Sequence, residues 1–409
     1  MKRPASSAAD GSRSTHDETF RARRLTLVIP SLTQGGAERV LTMMANHWAR
    51  SGHAVVLITL DASQNDTCPL DPEVSRVGLG LLKSSAGPLQ AVWNNGTRLR
   101  SLRRAIRDSR PDIVISFIDR MNVLTLLATR GLGLDVIVSE RVDPRRHEIG
   151  TMWNALRRSL YPRARALVVQ TERVCRAARP LVRRKPVYVI PNAIKVPKEP
   201  AATLPAEQQS GRRIVAMGRL VPQKGFDLLI QAFAQTAAEH PEWRLHILGN
   251  GPQQRELEQL AGAGDVSERV SFGGWVAETT DFLRQSDLFV LSSRYEGFPN
   301  ALLEAMACGL PAVSFDCDSG PAEIIRDGID GLLVEAENVE ALAKAMKRLM
   351  SDDELRRRMR ARAPEVIERF GVDEFFRRWE CVLNGGAEEV ISSESIESQR
   401  SETISGTGT

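Results

Sequence analysis

Short apolar runs alternate with amphipathic stretches along the chain. Leu25–Leu32, Ala54–Leu60, Asp112–Phe117, Asp135–Ser139, Ala166–Gln170 and Val187–Ile190 are β-branched and nearly free of charge. That is the pattern of strands buried on both faces of a parallel sheet. Between them, segments such as Ala37–Arg50 and Thr97–Arg107 carry the helical period. The alternation predicts βαβ units with right-handed crossovers. Residues 196–211 interrupt it with proline, alanine and polar residues and are predicted to be a linker. The pattern restarts at Ile214–Met217, Arg244–Leu248, Val270–Phe272, Leu288–Leu291, Ala312–Phe315 and Gly331–Val334. It ends in three helical stretches, Val339–Met350, Asp353–Arg362 and Asp373–Leu383. The predicted fold class is α/β, with two Rossmann-like doubly wound domains facing across a cleft. The first occupies 23–195 and the second 212–365. Ligands in such sheets bind at the carboxyl ends of the strands.

A length of 409 residues suits two cores rather than one. Residues 1–22 are polar and lack the apolar centre of a secretory signal, and residues 384–409 are rich in Ser, Thr, Glu and Gly. Both are predicted to be disordered. No run approaches the roughly 18 apolar residues of a membrane span. The five cysteines (Cys68, Cys175, Cys308, Cys317 and Cys381) are scattered and form no CxxC pair. This fits a reducing cytoplasm better than a disulfide framework or a zinc site. Charge is unevenly spread. Residues 21–195 hold 29 Lys/Arg against 13 Asp/Glu, a balance of +16, whereas residues 196–383 hold 22 against 30, a balance of −8. A basic half suits anionic lipid, a pyrophosphate-linked acceptor or nucleic acid. The nucleic-acid reading is disfavoured, because aromatic residues make up only 5% and no stacking platform is apparent.

Three strings carry chemistry. Gln34-Gly35-Gly36-Ala37-Glu38 follows the first strand and opens a helix. Glycines there let the backbone approach a ligand, and the free amides of the helix start suit an anion. The string is neither a GxGxxG fingerprint nor a P-loop. Gly218-Arg219-Leu220-Val221-Pro222-Gln223-Lys224-Gly225 places two cations across a turn after the first strand of the second half. They suit a diphosphate, with Arg219 gripping in two-pronged fashion and Lys224 as a point charge. Arg294-Tyr295-Glu296-Gly297-Phe298-Pro299-Asn300-Ala301-Leu302-Leu303-Glu304 follows a strand and enters a helix from about Asn300 to Cys308, stopped by Gly309 and Pro311. Glu296 and Glu304 can face one ligand, each accepting hydrogen bonds from hydroxyls. The amides around Phe298–Ala301 can hold phosphate oxygens. Asp316-Cys317-Asp318 is declined as a metal site, since the cations and helix ends can balance a diphosphate without one.

With these strings on the page, the second half strongly resembles the family-4 retaining glycosyltransferases of the GT-B fold. Glu296 and Glu304 match their E-x7-E motif, and Gly218, Arg219 and Lys224 match their phosphate-binding loop. Leu248–Pro252 and Phe272–Val276 resemble their strand-end loops. The first half looks like a narrower group that builds bacterial polysaccharides and lipid-linked oligosaccharides, on Gly35–Arg39, Ser116-Phe117 with Asn122, and Ser139-Glu140-Arg141. The resemblance implies a nucleotide diphosphate sugar donor, UDP-linked, with neither a cofactor nor a metal. It implies that Arg219 and Lys224 hold the diphosphate, Glu304 the ribose and Glu296 the donor sugar. Backbone at Trp275 and Val276 holds the base, and Gly35 and Gly36 pack on the diphosphate and the transferred sugar. A polar residue after the Ser116–Phe117 strand approaches the reacting sugar. Asp119 holds or neighbours that place, a plain loop position being the other reading. Glu140 and Arg141 are expected to line the cleft. Among the histidines only His147 is placed for chemistry. The stretch 366–383 is expected to cross back onto the first domain. The implied acceptor is a polyprenyl-diphosphate-linked glycan at the cytoplasmic face of the membrane, on an anionic surface. A GT-B phosphorylase or epimerase acting on nucleotide sugars is the alternative.

Overall fold

The computed structural model describes residues 21–33, 35–82, 87–145, 147, 149–194, 212–276 and 278–386. The linker 196–211, Gln34, the lead-in up to residue 20 and the tail from residue 387 lie outside the described residues. The first sheet comprises β1 (Arg24–Ile29), β2 (Ala54–Thr59), β3 (Ser75–Gly78), β4 (Ile113–Phe117), β5 (Asp135–Ser139), β6 (Ala166–Val169) and β7 (Val187–Val189). The second comprises β8 (Arg212–Met217), β9 (Trp243–Leu248), β10 (Val270–Gly274), β11 (Leu288–Leu291), β12 (Ala312–Asp316) and β13 (Gly331–Glu335). Strand orders are β3-β2-β1-β4-β5-β6-β7 and β10-β9-β8-β11-β12-β13. The pairings are parallel throughout. The fold is the pair of Rossmann-like doubly wound domains that the alternation predicts.

The first sheet carries α1 (Gly36–Arg50), α2 (Pro88–Asp108), α3 (Asp119–Ala128), α4 (Thr151–Leu160) and α5 (Glu172–Val182). The second carries α6 (Phe226–Ala237), α7 (Gln254–Ala263), α8 (Thr280–Arg284), α9 (Asn300–Ala307), α10 (Pro321–Ile324), α11 (Val339–Ser351), α12 (Asp353–Arg362) and α13 (Val366–Arg369), and α14 (Val372–Asn384) ends the described chain. Each sheet is covered on both faces, which explains why its strands read as unbroken apolar runs. Chain order reverses between β1 and β4, and again between β8 and β11. The two crevices at these switch points are where doubly wound sheets place their ligands.

β3, α2 and α3 depart from the pattern the sequence predicts, α3 (Asp119–Ala128) being a helix with no predicted counterpart. β3 is an additional edge strand, and α2 begins at Pro88 rather than Thr97, with proline in its first turn where no amide partner is needed. α14 packs Phe375, Phe376, Trp379, Val382 and Leu383 into the core under β1, beside Leu41, Met44 and Trp48 of α1. Its carboxyl end is held by cations of the first domain. Arg23 donates to the Leu383 carbonyl and the Asn384 side chain, and Arg165 donates to the same carbonyl at 3.2 Å. Cations there meet the negative end of the helix dipole.

Candidate active site

The turn after β1 supplies the first wall. Gly35 caps α1 and Gly36 begins it. The Glu38 side chain folds back into the space a side chain on Gly35 would need, and a Cβ on Gly36 would meet Asn300 Nδ2 at 2.9 Å. A side chain at either glycine would displace a neighbouring polar side chain, Glu38 at Gly35 and Asn300 at Gly36. Burial raises the Glu38 carboxyl, opposed by its own backbone amide and then by the charges of Arg219 and Arg141. Arg39, one residue on, reaches across and pairs with Glu304 of α9.

The loop after β8 supplies the opposite wall. A Cβ on Gly218 would press on the Lys224 side chain at 3.2 Å, so the glycine lets the lysine lie flat over the turn. Lys224 Nζ donates to Glu296 Oε1 at 2.5 Å, and Ser293 Oγ donates to the same oxygen at 2.6 Å. Arg219 is exposed and has no ion-pair partner among the described residues. Gly297 lies against the Arg141 carbonyl with no room for a side chain. Its own carbonyl accepts from Ser319 Oγ at 2.8 Å. Phe298 is buried edge-on to Phe370, so it offers a ligand only its backbone. Pro299 caps α9, Asn300 and Ala301 form its first turn, and Asn300 Oδ1 accepts from Asn192 Nδ2 at 2.5 Å. Burial raises the Glu304 carboxyl, with Arg39 pulling it down and Glu278 pushing it up. Trp275 and Val276 follow β10; the Trp275 ring is exposed and Val276 is half-buried on the second core.

Asp119 is the first residue of α3, in a helix rather than a loop. Ile118 before it holds φ +75°, a strained value for a β-branched side chain. The turn tucks the Asp119 carboxylate in, 3.3 Å from His147 Nε2. Glu140 is only 3% exposed and backs the cleft instead of lining it. Tyr161 donates its hydroxyl to Glu140 at 2.5 Å, and Asn122 donates to Tyr161 at 3.2 Å. Burial drives the Glu140 carboxyl up to about 7, against the Tyr161 hydrogen bond, with Asp119 adding to the rise. Arg141 is 9% exposed. It donates to Asn192 Oδ1, stacks 4.6 Å from the Phe117 ring, and is brought down to about 9 by burial.

The structure therefore gathers Gly35, Gly36, Arg141, Gly218, Arg219, Lys224, Glu296, Gly297, Asn300 and Glu304 between the two sheets. It sets Asp119 with His147 on the first-domain wall and Glu140 behind it. The sequence reading passed over Glu38, Arg39 and Asn192 as site residues. The first two stand in the Gly-Gly string, but only the fold shows Arg39 reaching across the cleft to Glu304. Asp318 is engaged by Arg173 at 2.9 Å, and the described residues hold no cluster of three His, Cys, Asp or Glu suited to a metal.

Comparisons with known proteins agree on the family. The profile described as "Glycosyl transferase 4-like domain" matches residues 35–193. The profile described as "Glycosyl transferases group 1" matches residues 205–366. An exopolysaccharide phosphotransferase of Streptomyces coelicolor is 37% identical over 282 residues, which is 68% of this chain but only 29% of that protein. An alpha-1,4-N-acetyl-D-galactosaminyltransferase of Campylobacter jejuni, named for a PP-undecaprenol acceptor, is 26% identical over 87% of this chain and 97% of its own. Among solved structures, the Anabaena HepE protein in complex with UDP-glucose superposes with a TM-score of 0.73 at 19% identity, covering 88% of this chain and 99% of that one. The chain belongs to the family-4 glycosyltransferases of the GT-B fold and is a glycosyltransferase.

Proposed function

We propose that the chain moves a hexose or N-acetylhexosamine from a UDP-linked donor, with retention at the anomeric carbon, onto a polyprenyl-diphosphate-linked glycan of a surface polysaccharide. The observation that carries this reading is the pairing of Lys224 with Glu296 just before α9, with Glu304 one turn inside that helix and the Arg219 charge acting on Glu38 of the first domain. Arg219, Lys224 and the free amides of α9 meet the diphosphate as it takes on charge, which is where fixed charge lowers a barrier most. Glu296 faces the sugar and Glu304 the ribose. The carboxylates of the cleft already serve partners: Glu296 lies on Lys224 and Ser293, Glu304 on Arg39, and Asp119 beside His147. That favours a same-face course over a covalent glycosyl intermediate. The bond from the anomeric carbon to the phosphate oxygen breaks, the acceptor oxygen bonds on the same face, and the acceptor proton passes to the leaving phosphate. UDP is bound in structures of similar fold, which supports the choice of nucleotide.

A thermal-unfolding screen of UDP-, GDP- and ADP-sugars tests the donor. A UDP-sugar at a hundred times its Kd should stabilise the fold by about 2.7 kcal/mol. Anomeric analysis of the product then tests retention. A flat screen, or an inverted product, would sink this reading, and free sugar phosphate or an epimerised donor would point to the phosphorylase or epimerase instead.

The same reading places the chain at the inner face of the cell membrane. Among the described residues no helix is long and apolar enough to cross a membrane. Trp93 on α2 is 75% exposed, and Arg100 and Arg104 lie exposed on its face of the helix at helical spacing. Met152 and Arg158 are exposed on α4. Each arginine near an anionic surface contributes about 1 kcal/mol. Flotation with anionic liposomes should carry the protein upward at low salt, and Arg100→Glu with Arg104→Glu should abolish this. Binding that ignores both salt and the double substitution would refute the surface.

A further inference from the structure

Glu304 lies in the second domain, yet its partner comes from the first. Arg39 stands on the first turn of α1, immediately after the Gly35–Gly36 turn, and donates from Nη2 to Glu304 Oε1. The other oxygen, Oε2, has no partner among the described residues. A carboxylate held by one oxygen and open at the other is oriented rather than occupied. Asn192 donating to Asn300 ties the same two walls together a turn earlier on α9.

We propose that Arg39 is a positioning residue for the donor ribose. It holds Glu304 turned so that Oε2 receives the ribose hydroxyls, and the ribose subsite is complete only when the two domains meet. The inference rests on the reading of Glu304 as the ribose ligand. It gives the cleft a simple logic: the second domain carries the nucleotide-binding carboxylate, and the first domain makes it fit for use.

The charged groups around Glu304 bear this out. Arg39 on α1 lowers its carboxyl, while Glu278, in the loop leading to α8, raises it along with burial. Arg284 and Asp281 of α8 act on Cys308 one turn further along. The other neighbours of α9 are turned elsewhere. Glu323 of α10 accepts from the Glu172 amide, Arg369 of α13 donates to the carbonyls of Glu323 and Ile324, and Glu365 pairs with Arg326 and Arg362. Arg39 is thus the cation that opposes the burial of Glu304. Without it the carboxyl rises further, and less of it is ionised at any given pH.

Arg39 is more than half exposed, so Arg39→Met should fold as the parent does. The test is calorimetric titration with the nucleoside diphosphate chosen by the thermal screen, UDP on the reading above, together with donor kinetics over pH 5.5–8.5. Arg39→Met should weaken UDP binding and raise donor KM about tenfold, the scale of one misplaced hydrogen bond. kcat at saturating donor should stay within about threefold, the signature of lost binding shared by ground and transition states. On acidification, UDP affinity should begin to fall at a higher pH in Arg39→Met than in the parent. Arg39→Lys should restore part of the affinity and the parental pH profile. Unchanged affinity and pH profile in Arg39→Met would overturn the proposal. So would tighter binding, which would make the ion pair a competitor of the donor. Glu304→Gln separates the two readings. If it leaves UDP affinity intact, the ribose reading falls and this inference with it. If it weakens UDP binding while Arg39→Met does not, the role of Arg39 falls alone.

Discussion

Arg219→Ala is expected to lower kcat/KM for the sugar donor by about a hundred- to a thousand-fold, the usual loss when one fixed donor to a developing anion is removed. Thermal unfolding should stay within about 0.5 kcal/mol of the parent. The separation follows from the structure. Arg219 is exposed and unpaired among the described residues, so no part of the fold leans on it. Lys224 does not offer so clean a test. Its ammonium lies 2.5 Å from a Glu296 oxygen, and its loss would leave a buried carboxylate without its cation. Arg219→Lys should fall between parent and alanine, since it keeps the charge and loses the two-pronged grip. Parental turnover in Arg219→Ala would remove the diphosphate from this loop.

Trp379→Ala should be the most damaging single change to the fold. The ring is fully buried, edge-on to Trp48 with centroids 6.0 Å apart and stacked on Phe117 at 6.3 Å. Its indole nitrogen has no hydrogen-bond partner, so the loss is one of packing and cavity alone. Truncating a buried aromatic of this kind costs about 3–5 kcal/mol. For a domain of this size that lowers the midpoint of the first-domain transition by roughly 6–20 °C. The loss should also reach the site, because the Phe117 ring also carries the Arg141 guanidinium. Calorimetry of the purified variant decides it, and an unshifted first transition would show that α14 is merely laid on the surface.

What the sequence reveals here follows burial. The strands of both sheets are apolar because both faces are covered, and a covered strand announces itself without help from its neighbours. β3 escapes because it is an edge strand of four residues, Ser75–Gly78, none of them fully buried. α3 escapes because Asp119–Ala128 is buried almost all round and shows no polar face to set its period. The motif residues of the second domain sit close together in sequence and are legible for that reason. The residues that complete the cleft are not. Arg39 and Glu304 are 265 positions apart, and Asn192 meets Asn300 over 108. Glu140 shows the opposite limit: its place after a strand suggests a cleft wall, but Tyr161, brought beneath it by the turn after α4, draws the carboxylate inward.

The seating of α14 has a consequence for how the chain is made. The core beneath β1 receives five of its apolar side chains from residues 375–383, so the first domain leaves the ribosome with that side of its sheet covered by α1 but not yet closed by α14. It must wait while the whole second domain is translated, on the order of ten seconds or more at ordinary elongation rates. During that interval the groove beside Trp48 is open to whatever apolar surface passes. Late in synthesis a single helix both closes the first domain and ties it to the second, so the order of translation runs first domain, second domain, then first domain again.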